Sequence, residues 1–180
     1  MAELMEILKQ RRSIRKFQEK ALPDGLVEDV LESVRWSPSW ANTQCWEVVV
    51  VKDPVTKEAL AETLGKTNPA RKAILKAPVV LALCARLKQS GYYKGKAVTK
   101  FGDWFMFDMG IASQSLCLAA CDHGLGTVIV GMLDHDKAGE ILGVKEGCEV
   151  VALIPLGYPD QDPPAPKRRS VGEFIHFERF

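Results

Sequence analysis

Several features are missing from this 180-residue sequence, and each absence removes a class of protein. No GxGxxG fingerprint follows a strand-like run and no GxxxxGK[ST] loop occurs, so neither a dinucleotide-binding βαβ unit nor a P-loop is expected. Cys45, Cys84, Cys117, Cys121 and Cys148 are odd in number and lack CxxC spacing. No signal-peptide pattern precedes them, because Met1 leads straight into the charged AELMEILKQRR. A disulfide framework is therefore not expected, and a reducing cytoplasm is the expected setting. No apolar run reaches the roughly 20 residues that a bilayer span requires. The longest, 104–120, is broken by Asp108, Ser113, Gln114 and Ser115, and reads as a helix buried in protein. Neither sign of charge is in excess: 24 Lys and Arg against 23 Asp and Glu leave +1, unlike a general nucleic-acid binder. There is no repeat period and no low-complexity tract. With 47% hydrophobic and 26% charged residues, the chain reads as one globular domain, 1–180.

The periodicity supplies the elements. Leu4, Ile7 and Leu8 lie on one face of an opening helix ending near Arg12. Leu26, Val30 and Val34 repeat every fourth residue in a second helix, with Asp24 as its expected N-cap and Pro38 beyond its end. Val48–Val51 is a continuous β-branched run, as in a strand covered on both faces. Pro54 opens a helix to about Leu64, and Pro78 introduces a strand over 79–85. Residues 86–102 are polar and read as a loop or mobile segment. Asp103 is the expected cap of a long, central helix to Asp122, with Gly124 placed as its stop. A strand over 126–130, a short helix after Asp134 and a strand over 150–156 follow. The segment 157–180 is proline-rich, then basic, then aromatic, as expected of a C-terminal arm. Strands separated by helices imply an α+β sandwich with one sheet between helices.

Two stretches could carry chemistry. Arg11, Arg12, Ser13 and Arg15 place forked cations and a hydroxyl at a helix end, which suits a phosphate monoester. A solvated basic helix terminus explains the same residues. Lys167, Arg168 and Arg169 form a second basic group. The loop Pro38-Ser39-Trp40-Ala41-Asn42-Thr43-Gln44-Cys45-Trp46 sets amides beside indoles, able to bind and cover a planar heterocycle, or simply to end a helix. Tyr92, Tyr93, Phe101 and Trp104 could line a substrate pocket or pack a loop. Cys117, Cys121 and His123 lack a fourth ligand and a zinc spacing, so no metal is expected. His135 reads as a helix cap and His176 as packing or surface. Asp103 and Asp108 make no acid/base pair, and Cys45 has no histidine nearby in sequence.

In order along the chain, RRSIRKF, SPSWANTQCWEVVVV, DMGIASQSLCLAA, GLGTVIVG and the basic tail resemble the nitroreductase family of FMN-dependent oxidoreductases. That resemblance implies a three-layer α+β sandwich, with a mixed, mainly antiparallel sheet, in an intertwined homodimer holding FMN at the subunit interface. It implies that Arg11, Arg12, Ser13 and Arg15 hold the FMN phosphate and ribityl chain, with Lys167 and Arg169 closing from the C-terminal side. It places Pro38, Ser39, Trp40 and Asn42 over the partner's isoalloxazine, Asn68 and Arg71 near its pyrimidine end, and a Val130 or Gly131 backbone amide at flavin N5. The implied activity takes hydride from NAD(P)H and reduces nitroaromatics, quinones or related acceptors by a ping-pong mechanism, with no catalytic side chain required. Flavin storage with little turnover, or specialised flavin or enone reduction, would use the same fold. Three positions depart from the family pattern. Cys45 replaces a common proline, Trp40 a small residue, and Val130 an acidic residue of some relatives.

Overall fold

A computed structural model describes residues 3–180, so Met1 and Ala2 of the opening segment lie outside the described residues. The structure is organised around the strand β6 (Cys148–Gly157). It pairs antiparallel with β2 (Val79–Arg86) on one side and β5 (Gly126–Thr127) on the other, and β1 (Trp46–Val51) pairs outside β2. The sheet order is thus β1-β2-β6-β5.

The run VVLALCA in β2 is buried throughout because its period of two feeds two cores. Val80, Ala82 and Cys84 face the layer of α3 (Pro54–Ala61), α4 (Arg71–Lys76) and α6 (His135–Leu142). Val79, Leu81, Leu83 and Ala85 face α2 (Leu26–Arg35) and α5 (Phe105–Asp122). This is the three-layer α+β sandwich that the resemblance implies. The sheet itself is antiparallel, and its parallel component is a single bridge between Ser13 and Thr127.

That bridge begins a lacing that positions the later site. Downstream of α1 (Leu4–Gln10), Ile14 N–H donates to Thr127 O at 2.8 Å, Phe17 bridges Pro159, and Gln18 N–H donates to Tyr158 O at 3.0 Å. Ile14 and Phe17 bury their side chains, so the arginines between α1 and Phe17 stay at the surface. The start of the C-terminal segment is drawn beside them.

Capping chemistry explains where several helices start. Asp53 accepts from Thr56 N–H at 2.8 Å with Pro54 in the first turn of α3, and Asp134 caps α6. Gly124, at φ +70°, ends α5 with Leu125 N–H donating to Ala120 O at 2.8 Å, a Schellman arrangement.

The structure differs from the expectations at several places. Asp103 does not cap α5; Trp104 occupies that position without a side-chain bond, and Asp103 accepts from Phe105 N–H at 3.3 Å. Asp24 does not cap α2; Gly25 at φ +82° occupies that position and makes no side-chain bond. His135 is the first residue of α6 rather than its cap, and its ring nitrogens lie 2.8 Å from Val150 O and 3.2 Å from Gly131 O. Both faces of β1 meet a core, Val49 and Val51 on one side and Val48 on the other, but β1 lies at the sheet edge and Val50 is 40% exposed. α4 was not anticipated, since it has no side-chain cap of its own; the Asn68 side chain accepts from Ala70 N–H at 2.9 Å just before it. The strand expected over 126–130 leaves the ladder after Thr127 and rejoins β6 only at Val130. Residues 86–102, expected as a loop, contain the hairpin β3 (Tyr92–Tyr93) and β4 (Lys96–Ala97). Lys94 and Gly95 turn it with φ of 50° and 74°, the left-handed pair that tight hairpins require.

Gly157 ends β6 under Pro78 and Phe17; a Cβ there would lie 2.5 Å from Pro78 Cδ and 3.1 Å from Phe17 Cδ1. Gly157→Ala is expected to destabilise the fold by about 1–3 kcal/mol through overpacking, read as a lower urea midpoint with unchanged slope.

Candidate flavin and substrate site

The lacing of residues 13–18 onto β5 and the tail brings basic side chains from both ends of the sequence together. A groove of about 300 Å³ is walled by Arg11, Arg12, Ser13 and Arg15 on one side and by Pro163, Pro164, Pro166 and Arg168 on the other. The tail cation that reaches it is Arg168, held by its own donation to Pro166 O at 3.1 Å. Lys167 and Arg169 are exposed and do not line it; the Arg169 guanidinium sits 5.7 Å from the Phe174 ring centroid. Arg12 donates Nη1 to Arg11 O at 2.9 Å, but its Nε is buried with no partner. A buried donor left unpaired on the rim of a cationic groove marks a place for an acceptor.

A second groove continues from Arg15 along Lys16 to Lys72 and Lys76 of α4. Sequence reasoning missed both lysines. They are four residues apart and share a helix face, a signal that exists only once α4 is known. Asn68 donates to Met132 O at 3.2 Å, which ties the start of α4 to the backbone after β5. Arg71 pairs with Glu62 and leaves Nη1 buried without a partner. Val130 N–H is committed to Leu153 O at 3.0 Å, so of the pair Val130 and Gly131 only the exposed Gly131 amide is free to meet a ligand.

The Pro38–Cys45 loop lies elsewhere. Ser39 Oγ accepts from Gln44 N–H at 2.9 Å, Asn42 Oδ1 accepts from Gln44 Nε2 at 3.4 Å, and Pro38 and Asn42 are exposed. Ala41, Asn42 and Gln44 have φ of 46°, 54° and 48°, which costs about 1–2 kcal/mol for each non-glycine residue. The turn is held by Asp108, a buried carboxylate on α5. Asp108 accepts from Trp40 N–H at 3.1 Å, from Ser90 Oγ at 2.6 Å and from Cys45 Sγ at 3.7 Å. Through Ser90 the same carboxylate anchors the hairpin that carries Tyr92 and Tyr93. Trp104 stacks obliquely between Phe101 at 5.7 Å and Phe107 at 5.2 Å. Trp40 and the aromatic hairpin thus share one end of α5.

The basic groove sits at the other end. Arg11 and Arg12 line a cleft with Cys117 and Cys121, near the last turns of α5. From Asp108 to Cys121 the helix rises roughly 20 Å, at about 1.5 Å per residue. One chain therefore holds the arginine cluster and the Trp40 turn at opposite ends of its longest helix.

The competing signals fall away. Among the described residues no group of three or more His, Cys, Asp or Glu side chains could hold a metal ion. His176 stacks on Phe180 at 4.4 Å. Burial, then the Asp108 charge, push the Cys45 thiol up to about 11, away from the thiolate that a nucleophile needs. Burial, then Cys148 and Glu47, push Cys84 likewise to about 11. Both thiols stay protonated in the folded chain up to that range but ionise near 9.0 once unfolded. Their contribution to stability is therefore complete below pH 9 and lost as pH rises to about 11. Thermal melts between pH 8 and 11 should show that loss, and Cys45→Ser together with Cys84→Ala should reduce it, the rest coming from Cys117 and Cys121, whose thiols burial also raises. A wild-type melting curve flat across this range would contradict the assignment.

The model of the nitroreductase family matches residues 8–76 and 58–158. The NADH dehydrogenase of Thermus thermophilus is 30% identical over 178 residues, covering 84% of each chain. A nitroreductase family protein of Clostridium novyi superposes with a TM-score of 0.77 at 29% identity, covering 88% of this chain and 87% of its own. The NADPH:FMN oxidoreductase of Vibrio harveyi, solved with NAD+, gives a TM-score of 0.83 at 26% identity, covering 98% of this chain and 77% of its own. With sequence order, sandwich and relatives in agreement, this chain belongs to the nitroreductase family and is an oxidoreductase.

Proposed function

We propose that the protein is an FMN-dependent oxidoreductase that takes hydride from NAD(P)H and reduces nitroaromatics, quinones or related acceptors. The observation that carries this reading is the convergence of Arg11, Arg12, Ser13, Arg15 and Arg168 on one groove, with the unpartnered Arg12 Nε at its edge. Forked guanidinium donors beside a hydroxyl match a dianionic phosphate monoester. The continuation past Arg15 to Lys72 supplies positive charge where a pyrimidine-dione edge becomes anionic on reduction. Arg71, next to Lys72 in α4, adds an Nη1 that is buried without a partner, and the exposed Gly131 is a further candidate donor. These residues fit FMN, which when bound would accept two electrons from reduced nicotinamide and pass them to the acceptor. The protein's part is to bind, orient and stabilise charge. One open pocket serving donor and acceptor in turn gives ping-pong kinetics.

The working unit is a homodimer with FMN at the interface. Trp40 and the arginine cluster stand roughly 20 Å apart along α5, so a second copy supplies the Trp40 turn to the first copy's groove. Three exposed features support that assembly. β1 leaves an edge unpaired, α5 exposes Met106 and Phe107 at 61% and 59%, and the C-terminal arm exposes Phe174, Ile175, Phe177 and Phe180. Exposed apolar surface of this kind marks an interface, and the arm fits the role of wrapping its partner.

The purified protein is expected to show flavin bands near roughly 370 and 450 nm that bleach on anaerobic addition of NADH or NADPH. Cycling with menadione should then be sustained; a single bleach without turnover would indicate a storage protein, and failure to bind FMN would remove the proposal. Arg11→Ala and Arg15→Ala should each weaken FMN binding by about 1.5–3 kcal/mol, the value of a charge-assisted hydrogen bond, in a flavin fluorescence titration. Full flavin occupancy at sub-micromolar protein in either variant would refute the phosphate assignment.

A further inference from the structure

The charge balance of the whole chain conceals a local segregation. Residues 86–102 carry Arg86, Lys88, Lys94, Lys96 and Lys100 and no acid, leaving the rest of the chain net −4, with 19 basic against 23 acidic side chains. Arg86 is paired with Glu47 at 2.7 Å. Among the described residues, none of the four lysines forms an ion pair. The nearby acids lie at the base of the hairpin and are occupied: Asp103 accepts from Lys88 N–H at 2.6 Å, and Asp108 from Ser90 and Trp40.

The hairpin is fixed at its base and free at its tip. Trp104 N–H donates to Ser90 O at 3.0 Å and Val98 N–H to Gly91 O at 2.9 Å. Gly91, at φ +79°, packs so closely that a Cβ would lie 2.8 Å from Gly102 O. The ammonium groups accompany aromatic rings. Lys94 Nζ lies 5.5 Å from the Tyr93 centroid, and Lys100 Nζ lies 5.0 Å from that of Phe101, which leads into the Trp104 and Phe107 stack. The shared Asp108 carboxylate keeps this surface beside the Trp40 turn.

We propose that the hairpin selects electron acceptors and favours anionic aromatic oxidants, such as nitroarene carboxylates and quinone sulfonates. The ring of the oxidant rests against Phe101 and Trp104 while its acidic group meets Lys100, with Lys94 and Lys96 raising the potential around that surface. Several unpaired cations beside exposed rings raise the local concentration of an anion and its rate of arrival, and added salt suppresses both. The proposal rests on the flavin oxidoreductase reading, and it names the class of acceptor that reading leaves open.

The test uses the flavin-loaded enzyme and isosteric acceptor pairs: 4-nitrobenzoate against 4-nitrobenzamide, and anthraquinone-2-sulfonate against anthraquinone-2-methanol. Because the nicotinamide donor is itself an anion, the acceptor constant is measured by stopped flow on enzyme reduced beforehand. The expected result is an anionic-to-neutral ratio of kcat/KM of about ten at low salt, carried mainly by KM and falling towards one at 0.5 M KCl. Combining Lys94→Gln, Lys96→Gln and Lys100→Gln should collapse that ratio, and Lys100→Glu should reverse it for the smaller pair. Equal rates within each pair, or a preference that survives both salt and the triple substitution, would overturn the proposal while leaving the flavin reading intact. Enzyme whose flavin is never reduced by NADH or NADPH would remove both together. A hairpin that retains heparin or anionic vesicles but gives no difference between paired acceptors would be a polyanion contact, and the proposal would fall.

Discussion

The aromatic end of the molecule depends on one buried carboxylate. Asp108 is 1% exposed and forms no ion pair among the described residues, an arrangement that is stable only when donors replace its lost water. Trp40 N–H, Ser90 Oγ and the Cys45 thiol do so. The donors come from two segments far apart in sequence, the Trp40–Cys45 loop and Ser90, so satisfying one ion fixes a left-handed turn, the entry to β1 and the base of a hairpin against α5. The same charge helps to keep the Cys45 thiol protonated. A potential nucleophile is thereby converted into a structural donor.

The opposite end of the molecule is built by backbone rather than by side-chain chemistry. Residues 13–18 join β5 at Thr127 and the exit from β6 at Tyr158 and Pro159, with Ile14 and Phe17 as apolar anchors. Cationic side chains of Arg11, Arg12 and Arg15 are therefore displayed from a stiff support, and the proline-rich tail returns Arg168 to them. Rigid backbone limits the entropy lost when several charged side chains converge on one anion. The aromatic end has a different character, being strained at the turn and free at the hairpin tip. On the proposed reading, binding and selection fall to parts of different stiffness.

The sequence was legible where one signal dominated. The apolar run of β2, Pro54 at the start of α3, the glycine after α5 and the basic RRSIR segment all lie where local chemistry puts them, whereas the acids Asp24 and Asp103 cap neither α2 nor α5. It was opaque where structure depends on distant partners. The run Val48 to Val51 fits an edge strand and a central one alike, so the edge position of β1 is not reported by its residues. α4 depends on an Asn68 contact and on docking over the sheet, so Lys72 and Lys76 were invisible as a pair. Lys94-Gly95 signals a tight turn only when the flanking tyrosine and lysine are known to pair. In the tail, three consecutive basic residues gave no indication of which one faces the groove. Backbone direction decides that, and it selects Arg168.

The helix α5 also sets how this chain can vary in length. It links the Asp108 cluster to the cleft containing Cys117 and Cys121, and it ends in a Schellman stop that hands the chain directly to β5. One residue added or removed between these points would rotate one end by about 100° relative to the other and shift it by about 1.5 Å. Either Asp108 would leave its three donors, or Leu125 and Gly126 would lose their register beside Ile14. Insertions and deletions should therefore be rejected within this helix and tolerated at the Lys94-Gly95 tip, where no packed neighbour registers an added residue.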